Sequence, residues 1–305
     1  MIHKGLRVGV LMGGLSAERA VSLKSGKAVL EALAERGWDA VGIDVGRDLP
    51  QRLLAEGVQV AWVALHGRFG EDGAVQGLLE MMGIPYTGSD VRASAVAMDK
   101  IATKRAVQGA VVMAQDLVLR PGDTLPESFN FPAVVKPSVG GSTIGMSLVR
   151  TREELLVALD VAWKLNDEVL VEEYVSGDEI TVAVLDGEAL PVVRIVPDSG
   201  FFDFEAKYTK GRTRYEAPAA LPAAVTQAAQ TAAVRVWGAL GCRGLARADF
   251  IVRSTDGVPV FLEINTIPGM TGTSLSPMAA GVVGVSFGEL VERVLVSAHV
   301  MRPEV

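Results

Sequence analysis

The chain has 305 residues, and its 49% hydrophobic content is enough for more than one buried core. A net charge of −7, from 36 acidic against 29 basic residues and with no Lys/Arg run longer than two, excludes a cationic face for nucleic acid or anionic lipid. Cys242 is the single cysteine, which rules out an internal disulfide. The three histidines (His3, His66, His299) argue against a zinc site, so any metal has to be bound by oxygen and the partners are small molecules or protein.

The opening "MIHKGLRVGVLMGGLSAER" contains a short apolar run, but glycines interrupt it and Glu18-Arg19 follow at once. The apolar tail from 278 to 298 carries Glu289, Glu292 and Arg293. The expectation is therefore no signal peptide, no membrane span and a cytoplasmic location. Three β-rich runs, "LRVGVLMGG", "DAVGIDV" and "QVAWVAL", alternate with helical patterns at 20–36, 49–56 and 74–82, the spacing of a doubly wound parallel sheet. Ligands on such sheets sit beyond the carboxyl ends of the strands, which here run into "GGLSAER" and "HGRFGEDG". Gly13-Gly14 does not continue as G-x-G-x-x-G, so the dinucleotide fingerprint is missing.

After the turn "PYTGSD", one helix is expected to carry "MDKIATKRAVQ". "FPAVVKP" and "TIGMSLV" then read as strands flanking a glycine-serine loop, and Thr151 with Glu154 as a capping box opening a helix to 164. Beyond it come the strands "VLVEEYV" and "EITVAVL", an irregular stretch from 197 to 220, and a helix over 222–240. A strand pair closes on the turn "RSTDGVP".

That strand pair carries the most informative side chains. "GLARADFIV" puts Arg247 and Asp249 on one strand face, and "FLEINTIPGM" puts Glu263 and Asn265 on one face of its partner. Counting back from Asp256-Gly257 sets Asp249 about opposite Glu263. Two carboxylates so close need a cation between them, and oxygen ligands suit Mg²⁺ holding nucleotide phosphates; a surface ion-pair network with Arg247 is the alternative. In "VVKPSVGGSTIGM" the loop Gly140-Gly141-Ser142-Thr143 follows a buried strand ending at Lys136, a cation that needs an anion. It is either a phosphate-binding loop or an ordinary hairpin, and it is not a P-loop, because no G-K-[ST] follows. "VLVEEYVSGDE" has the apolar-then-acidic form of an adenine slot, or is merely strand then turn.

"GGLSAER" with "VSLKSG", "ALHGRFGEDG", "MDK", "VVKPSVGGST", "DFEAKY", "RADF" and "EINTIPGMTGTSLSPM" occur in an order and spacing that resemble the D-alanine–D-alanine ligases of the ATP-grasp superfamily, along nearly the whole chain. The resemblance implies a fold that is α/β and α+β: a doubly wound N-terminal domain (1–92), then a two-part ATP-grasp fold made of a central (93–178) and a C-terminal catalytic (179–305) subdomain. It implies that Lys100, Lys136, Ser142, Glu172, Tyr174, Val175, Glu179 and Lys207 contact ATP, and that Asp249, Glu263 and Asn265 bind two Mg²⁺ or Mn²⁺ ions. It also implies that Glu18, His66, Arg247, Gly269, Ser274 and Leu275 surround two D-alanines, that Ser142 and Tyr208 link the glycine loop to Glu18, and that the protein is a homodimer. Departures from the family pattern are Ala20 in place of an acidic residue, Phe202 and Phe204 in place of tyrosines, and Tyr174 in place of a bulkier aromatic.

The implied reaction is ATP-dependent ligation through an acyl-phosphate, for peptidoglycan precursor synthesis. Two other functions compete: a non-catalytic binding protein, which would not need the acidic cluster beside Arg247, and a ligase with another acceptor such as D-lactate. Tyr208 in "EAKY" favours the amine acceptor within the resemblance.

Overall fold

A computed structural model describes residues 2–126, 129–141, 145–197 and 213–301. The three apolar runs at the start form a parallel sheet, with β1 (Val8–Met12) between β2 (Ala40–Asp44) and β3 (Val60–Val63). Parallel pairing requires crossovers, and these are α1 (Arg19–Glu35) and α2 (Leu49–Ala55), close to the predicted spans. Every residue of β1 and β3 is buried, as expected of strands covered on both faces. Helix α3 (Ala74–Met82) follows and packs Val75 and Leu79 into the same core.

The single helix expected at "MDKIATKRAVQ" is instead two, α4 (Val91–Met98) and α5 (Lys100–Ala106). Asp99 between them has extended backbone, and its carboxylate accepts from the N–H groups of Ile101 (2.9 Å) and Ala102 (3.1 Å). An aspartate that caps one helix ends the one before it.

Next comes an antiparallel sheet of order β4-β7-β5-β6, built from β4 (Asp116–Leu119), β5 (Ala133–Pro137), β6 (Ser147–Val149) and β7 (Val169–Glu173). The expected hairpin is β5–β6, its second strand starting only at Ser147. Helix α6 (Arg152–Ala162) covers this sheet with Leu155, Ala158, Leu159 and Ala162. Thr151 caps it, accepting from Glu154 N at 3.2 Å, but the Glu154 carboxylate accepts from Arg150 N (2.6 Å) rather than closing the box on Thr151.

The third sheet runs β11-β10-β8-β12-β13, from β8 (Gly177–Leu185), β9 (Glu188–Ala189, paired to the end of β8), β10 (Val193–Pro197), β11 (Thr213–Glu216), β12 (Leu245–Arg253) and β13 (Pro259–Asn265). Strand β11 lies inside the stretch expected to be irregular, because it finds a partner in β10. On one face Ile180, Val182 and Val184 of β8 and Ala246, Ala248 and Phe250 of β12 pack under α7 (Ala223–Leu240). Period-2 alternation sends Glu179, Thr181, Arg247 and Asp249 to the other face. Burial among α7 and β12 pushes the Cys242 thiol up to about 11, so it is protonated at neutral pH.

After α8 (Leu275–Val282), the chain returns to the first sheet. Helix α9 (Phe287–Val296) inserts Leu290, Val291, Val294 and Leu295 among Val8, Val10, Trp38 and Trp62. Glu292 fixes it by accepting from Arg36 Nε (2.8 Å) and Trp38 Nε1 (2.9 Å). Among the described residues no helix is long and apolar enough to cross a membrane.

The Arg36 and Trp38 hydrogen bonds, against an opposing effect of burial, hold the Glu292 carboxyl below its ordinary value. A carboxylate depressed in the folded state stabilises above its unfolded pKa, and that contribution disappears as pH falls through the folded one. Glu292→Gln should therefore lower stability at neutral pH by about 1 kcal/mol. In urea titrations the difference from wild type should vanish as the pH is taken below the ordinary carboxylate range; a pH-independent difference would show that the charge is not what matters.

Candidate active site

The polar face of the β12–β13 hairpin is set by register. Asp249 stands directly opposite Glu263 and Arg247 opposite Asn265, and opposed residues share a face, so the four side chains lie together. A bulge makes this possible. The register shifts after Asp249, so Phe250 opposes Phe261 and Leu262 is the extra residue. Phe261 (1% exposed) thereby meets Phe250 edge-on in the core, with ring centroids 5.7 Å apart, while Glu263, two residues on, joins the opposite face.

Asp249 is buried and bonded through both oxygens. Its Oδ1 accepts from Arg247 Nε (2.9 Å) and Thr181 Oγ1 (2.5 Å), and its Oδ2 from Arg247 Nη2 (2.9 Å), a bidentate pair braced from β8. Burial pulls the Arg247 guanidinium down, but Asp249 first, then Glu263 and Glu71, more than offset it and keep it a permanent cation.

Facing these residues are two lysines from the preceding elements. Lys100, the first residue of α5, donates to Gly140 O at 2.7 Å and lies 3.6 Å from Glu263 Oε2. Lys136, on β5, pairs with Glu172 of β7. Burial lowers the Lys136 ammonium, yet Glu172, then Glu263 and Glu179 from the third sheet, raise it above its ordinary value. Glu172 in turn is pushed up by burial and pulled further down by Lys136 and Lys104, so it is ionised. The anion that a buried Lys136 requires is thus Glu172. Tyr174 and Val175 lie half-buried in the link from β7 to β8, with Tyr174 N donating to Pro132 O at 3.1 Å.

A third group comes from the loops after β1, β3 and β13. Glu18 stands at the N-cap of α1, and its N–H donates to Ser16 Oγ (3.2 Å), which donates to His66 O (2.6 Å). Its carboxylate lies against Gly67 and against Gly141, whose added Cβ atoms would stand 2.7 Å and 3.5 Å from Oε2. Gly67 also has φ +70, so it has two reasons to be glycine. His66 is buried, its Nδ1 3.7 Å from Glu71 Oε1 and its Nε2 3.4 Å from Ser25 Oγ. Ser25 Oγ accepts from Met270 N (3.3 Å), tying His66 to the Gly269 turn. Ser274, at the N-cap of α8, accepts from Thr271 N (3.0 Å), and its Oγ is 3.2 Å from where a Cβ on Gly269 would be; Leu275 follows as the first residue of α8. Ser142, Lys207 and Tyr208 lie outside the described residues.

The structure therefore brings Arg247, Asp249, Glu263 and Asn265 onto one face, with Lys100 and Lys136 across from it and Glu18 beside the glycine loop. Sequence reading missed Thr181, Glu71, Ser25 and Lys104. Thr181 could have been found two residues after Glu179 on the same strand face, and Lys104 one helical turn after Lys100. A surface hollow of about 400 Å³ lined by Asp99, Ser138 and Asn166 lies beside this region, and none of the converging carboxylates lines it.

The donors suit a hard divalent ion. Among the described residues no group of three His, Cys, Asp or Glu side chains is placed to hold a metal, so the candidate set is two carboxylates and the Asn265 carboxamide. Three of the roughly four acceptor positions of the Asp249 carboxylate are taken, leaving one on Oδ2 by count. All the donors are oxygen, as Mg²⁺ or Mn²⁺ prefers.

A parallel sheet followed by two antiparallel sheets, with Lys100 and Lys136 facing Asp249 and Glu263, is an ATP-grasp architecture. The D-ala D-ala ligase C-terminus family model matches residues 107–296, and the D-ala D-ala ligase N-terminus model residues 48–89. The D-alanine–D-alanine ligase of Syntrophotalea carbinolica is 52% identical over 301 residues, 97% of each chain. The crystal structure of D-alanine–D-alanine ligase from Bacillus anthracis complexed with ATP superposes with TM-score 0.84 at 33% identity, covering 96% of this chain and 97% of that one. VanG D-Ala:D-Ser ligase from Enterococcus faecalis gives 0.81 at 28%, covering 95% and 98%. The chain belongs to the D-alanine–D-alanine ligase family.

Removing the carboxylate beside a buried guanidinium leaves an uncompensated charge. Asp249→Ala should cost about 3 kcal/mol or more in a denaturant titration. Asp256→Ala, at the exposed Arg253–Asp256 pair, is the control and should change stability little. Equal effects at the two positions would contradict the burial argument.

Proposed function

We propose that the chain joins two molecules of D-alanine, driven by ATP, to give D-alanyl-D-alanine, ADP and phosphate for peptidoglycan precursor synthesis in the cytoplasm. The observation that carries this reading is the shared face of Arg247, Asp249, Glu263 and Asn265 opposite Lys100 and Lys136. Such a cleft suits a polyphosphate: cations on one wall take its charge, and oxygen donors on the other take a metal bound to it.

In the proposed sequence, a carboxylate oxygen of the first D-alanine attacks the γ-phosphorus of ATP. The bond to the β-γ bridging oxygen breaks, ADP leaves and an acyl-phosphate remains. The amine of the second D-alanine then attacks the acyl carbon, loses a proton, and expels inorganic phosphate. Lys136, Lys100 and the N–H groups of the Gly140-Gly141 loop offset charge on the transferred group. Arg247 and the Gly269 N–H hold the oxyanion, each such donor contributing about 3 kcal/mol. Glu18 and His66 orient the first substrate, and Ser274 and Leu275 the second. Asp249, Glu263 and Asn265 would hold Mg²⁺ or Mn²⁺, which supplies charge neutralisation at the phosphates. Glu172, Tyr174, Val175, Glu179 and Lys207 line the nucleotide, and Ser142 with Tyr208 closes the glycine loop on Glu18. The same reading carries the division into 1–92, 93–178 and 179–305, with α9 returning to the first core, and a homodimer as the assembly.

A non-catalytic binding protein would have no use for a carboxylate pair facing two lysines. A different acceptor is the second reading, because VanG, a D-Ala:D-Ser ligase, shares the fold over nearly the whole chain.

Phosphate release from ATP should require D-alanine and yield the dipeptide; release with D-lactate added, giving depsipeptide in preference, would favour the second reading. Glu263→Gln removes one charge with little change of shape, and turnover should fall at least about 100-fold while the fold persists. Near-normal turnover at ordinary Mg²⁺ would remove Glu263 from the metal set. Tyr208→Phe should raise the ratio of depsipeptide to dipeptide from mixed acceptors, most at about pH 6, where an α-amino group is protonated. An unchanged ratio up to about pH 9 would assign acceptor choice elsewhere.

A further inference from the structure

Lys104 lies within "MDKIATKRAVQ", one helical turn after Lys100 on α5, and the chemistry above does not use it. Its side chain is 7% exposed, and its ammonium donates to Glu172 Oε1 (2.6 Å) and Ala114 O (3.0 Å) and forms an ion pair with Asp116 Oδ1 (2.8 Å). A buried lysine this well satisfied holds its partners firmly.

The partner that matters is Glu172. It is buried, and its two oxygens are divided between two ammonium groups, Oε1 on Lys104 and Oε2 on Lys136. Asp116 stands opposite Glu172 in the β4–β7 register, but it is exposed and water screens its charge. With Lys136 alone, Glu172 would cancel one of the charges that the cleft needs. If Lys136 then turned to an incoming anion, a desolvated carboxylate would be left unmatched. Lys104 removes both obstacles, since it holds the other oxygen of Glu172 and so neutralises the carboxylate independently of Lys136.

We propose that Lys104 is a positioning residue for nucleotide binding: it secures Glu172, so that Lys136 can exchange this resident carboxylate for a phosphate oxygen. The inference rests on the nucleotide reading of the cleft given above and deepens it. Lys104 itself touches no reacting atom. A purely structural role would be to fasten α5 to β4 and β7, and it makes a different prediction.

The test compares wild type with Lys104→Met, which keeps length without charge, and Lys104→Arg, which keeps the charge. Folding is followed by circular dichroism, nucleotide affinity by equilibrium titration with ATP and Mg²⁺, and KM is measured separately for ATP and D-alanine. In folded Lys104→Met the Kd and KM for ATP should rise about tenfold or more, while the KM for D-alanine stays within about twofold, and Lys104→Arg should recover most of the ATP affinity. If Lys104→Met does not fold, Lys104→Gln, which keeps an N–H donor for Glu172, carries the same expectation. ATP affinity unchanged in the folded variant, or both substrates weakened alike, would overturn the inference and leave the nucleotide reading standing. A wild-type chain that binds no ATP would overturn both.

Discussion

Burying a guanidinium in the middle of a sheet requires a carboxylate that meets it with two parallel hydrogen bonds, and the Arg247–Asp249 pair satisfies that condition within one strand. Much of the third sheet is arranged around it. Strand β8 supplies Thr181 directly opposite Asp249 to take the remaining position on Oδ1, and β13 supplies Glu263 on the other side. The opposite face of the same three strands carries an apolar core that packs under α7. A permanent cation beside a row of carboxylates is expensive to bury, and it persists where charge on a bound group has to be met.

The same rule of matched buried charge repeats on the other wall of the cleft. Glu172 lies between Lys104 and Lys136, so the second sheet also carries its ions in compensated sets. Lys136 feels Glu263 and Glu179 across the gap, and Lys100 reaches Glu263. The two antiparallel sheets are therefore coupled electrostatically at the place where a polyphosphate would lie. That coupling, more than any enclosed hollow, marks the site.

The first sheet contributes through its loops. Parallel strands end together at one edge, so the segments after β1 and β3 bring Glu18 and His66 to the same place. Ser25, reaching from α1 to both His66 and Met270, joins that edge to the turn following β13. Helix α9 makes the union firm by returning the end of the chain to the first core through Leu290, Val291 and Glu292.

The local patterns in the sequence determined a good deal by themselves. Alternation of β-rich runs with helical periods located the parallel strands and their crossovers, because both periodicities arise from backbone geometry that acts over a few residues. The turn at Asp256-Gly257 brought Asp249 to within a residue of Glu263 in register, because a short hairpin leaves little freedom, and the bulge at Leu262 set the two directly opposite. The break at Asp99 is equally local, because its cap competes with helix continuation within three residues. Other features needed the folded chain. Strand β11 exists because β10 is beside it, and no residue within 213–216 announces that neighbour. The bulge at Leu262 separates Phe261 from Glu263 only once a core stands on one side and a cleft on the other. Lys104, Glu172 and Lys136 are far apart in sequence, and their shared charge is a property of three elements packed together. Electrostatic pairing depends on distance through space and on exclusion of water, and tertiary structure alone decides both.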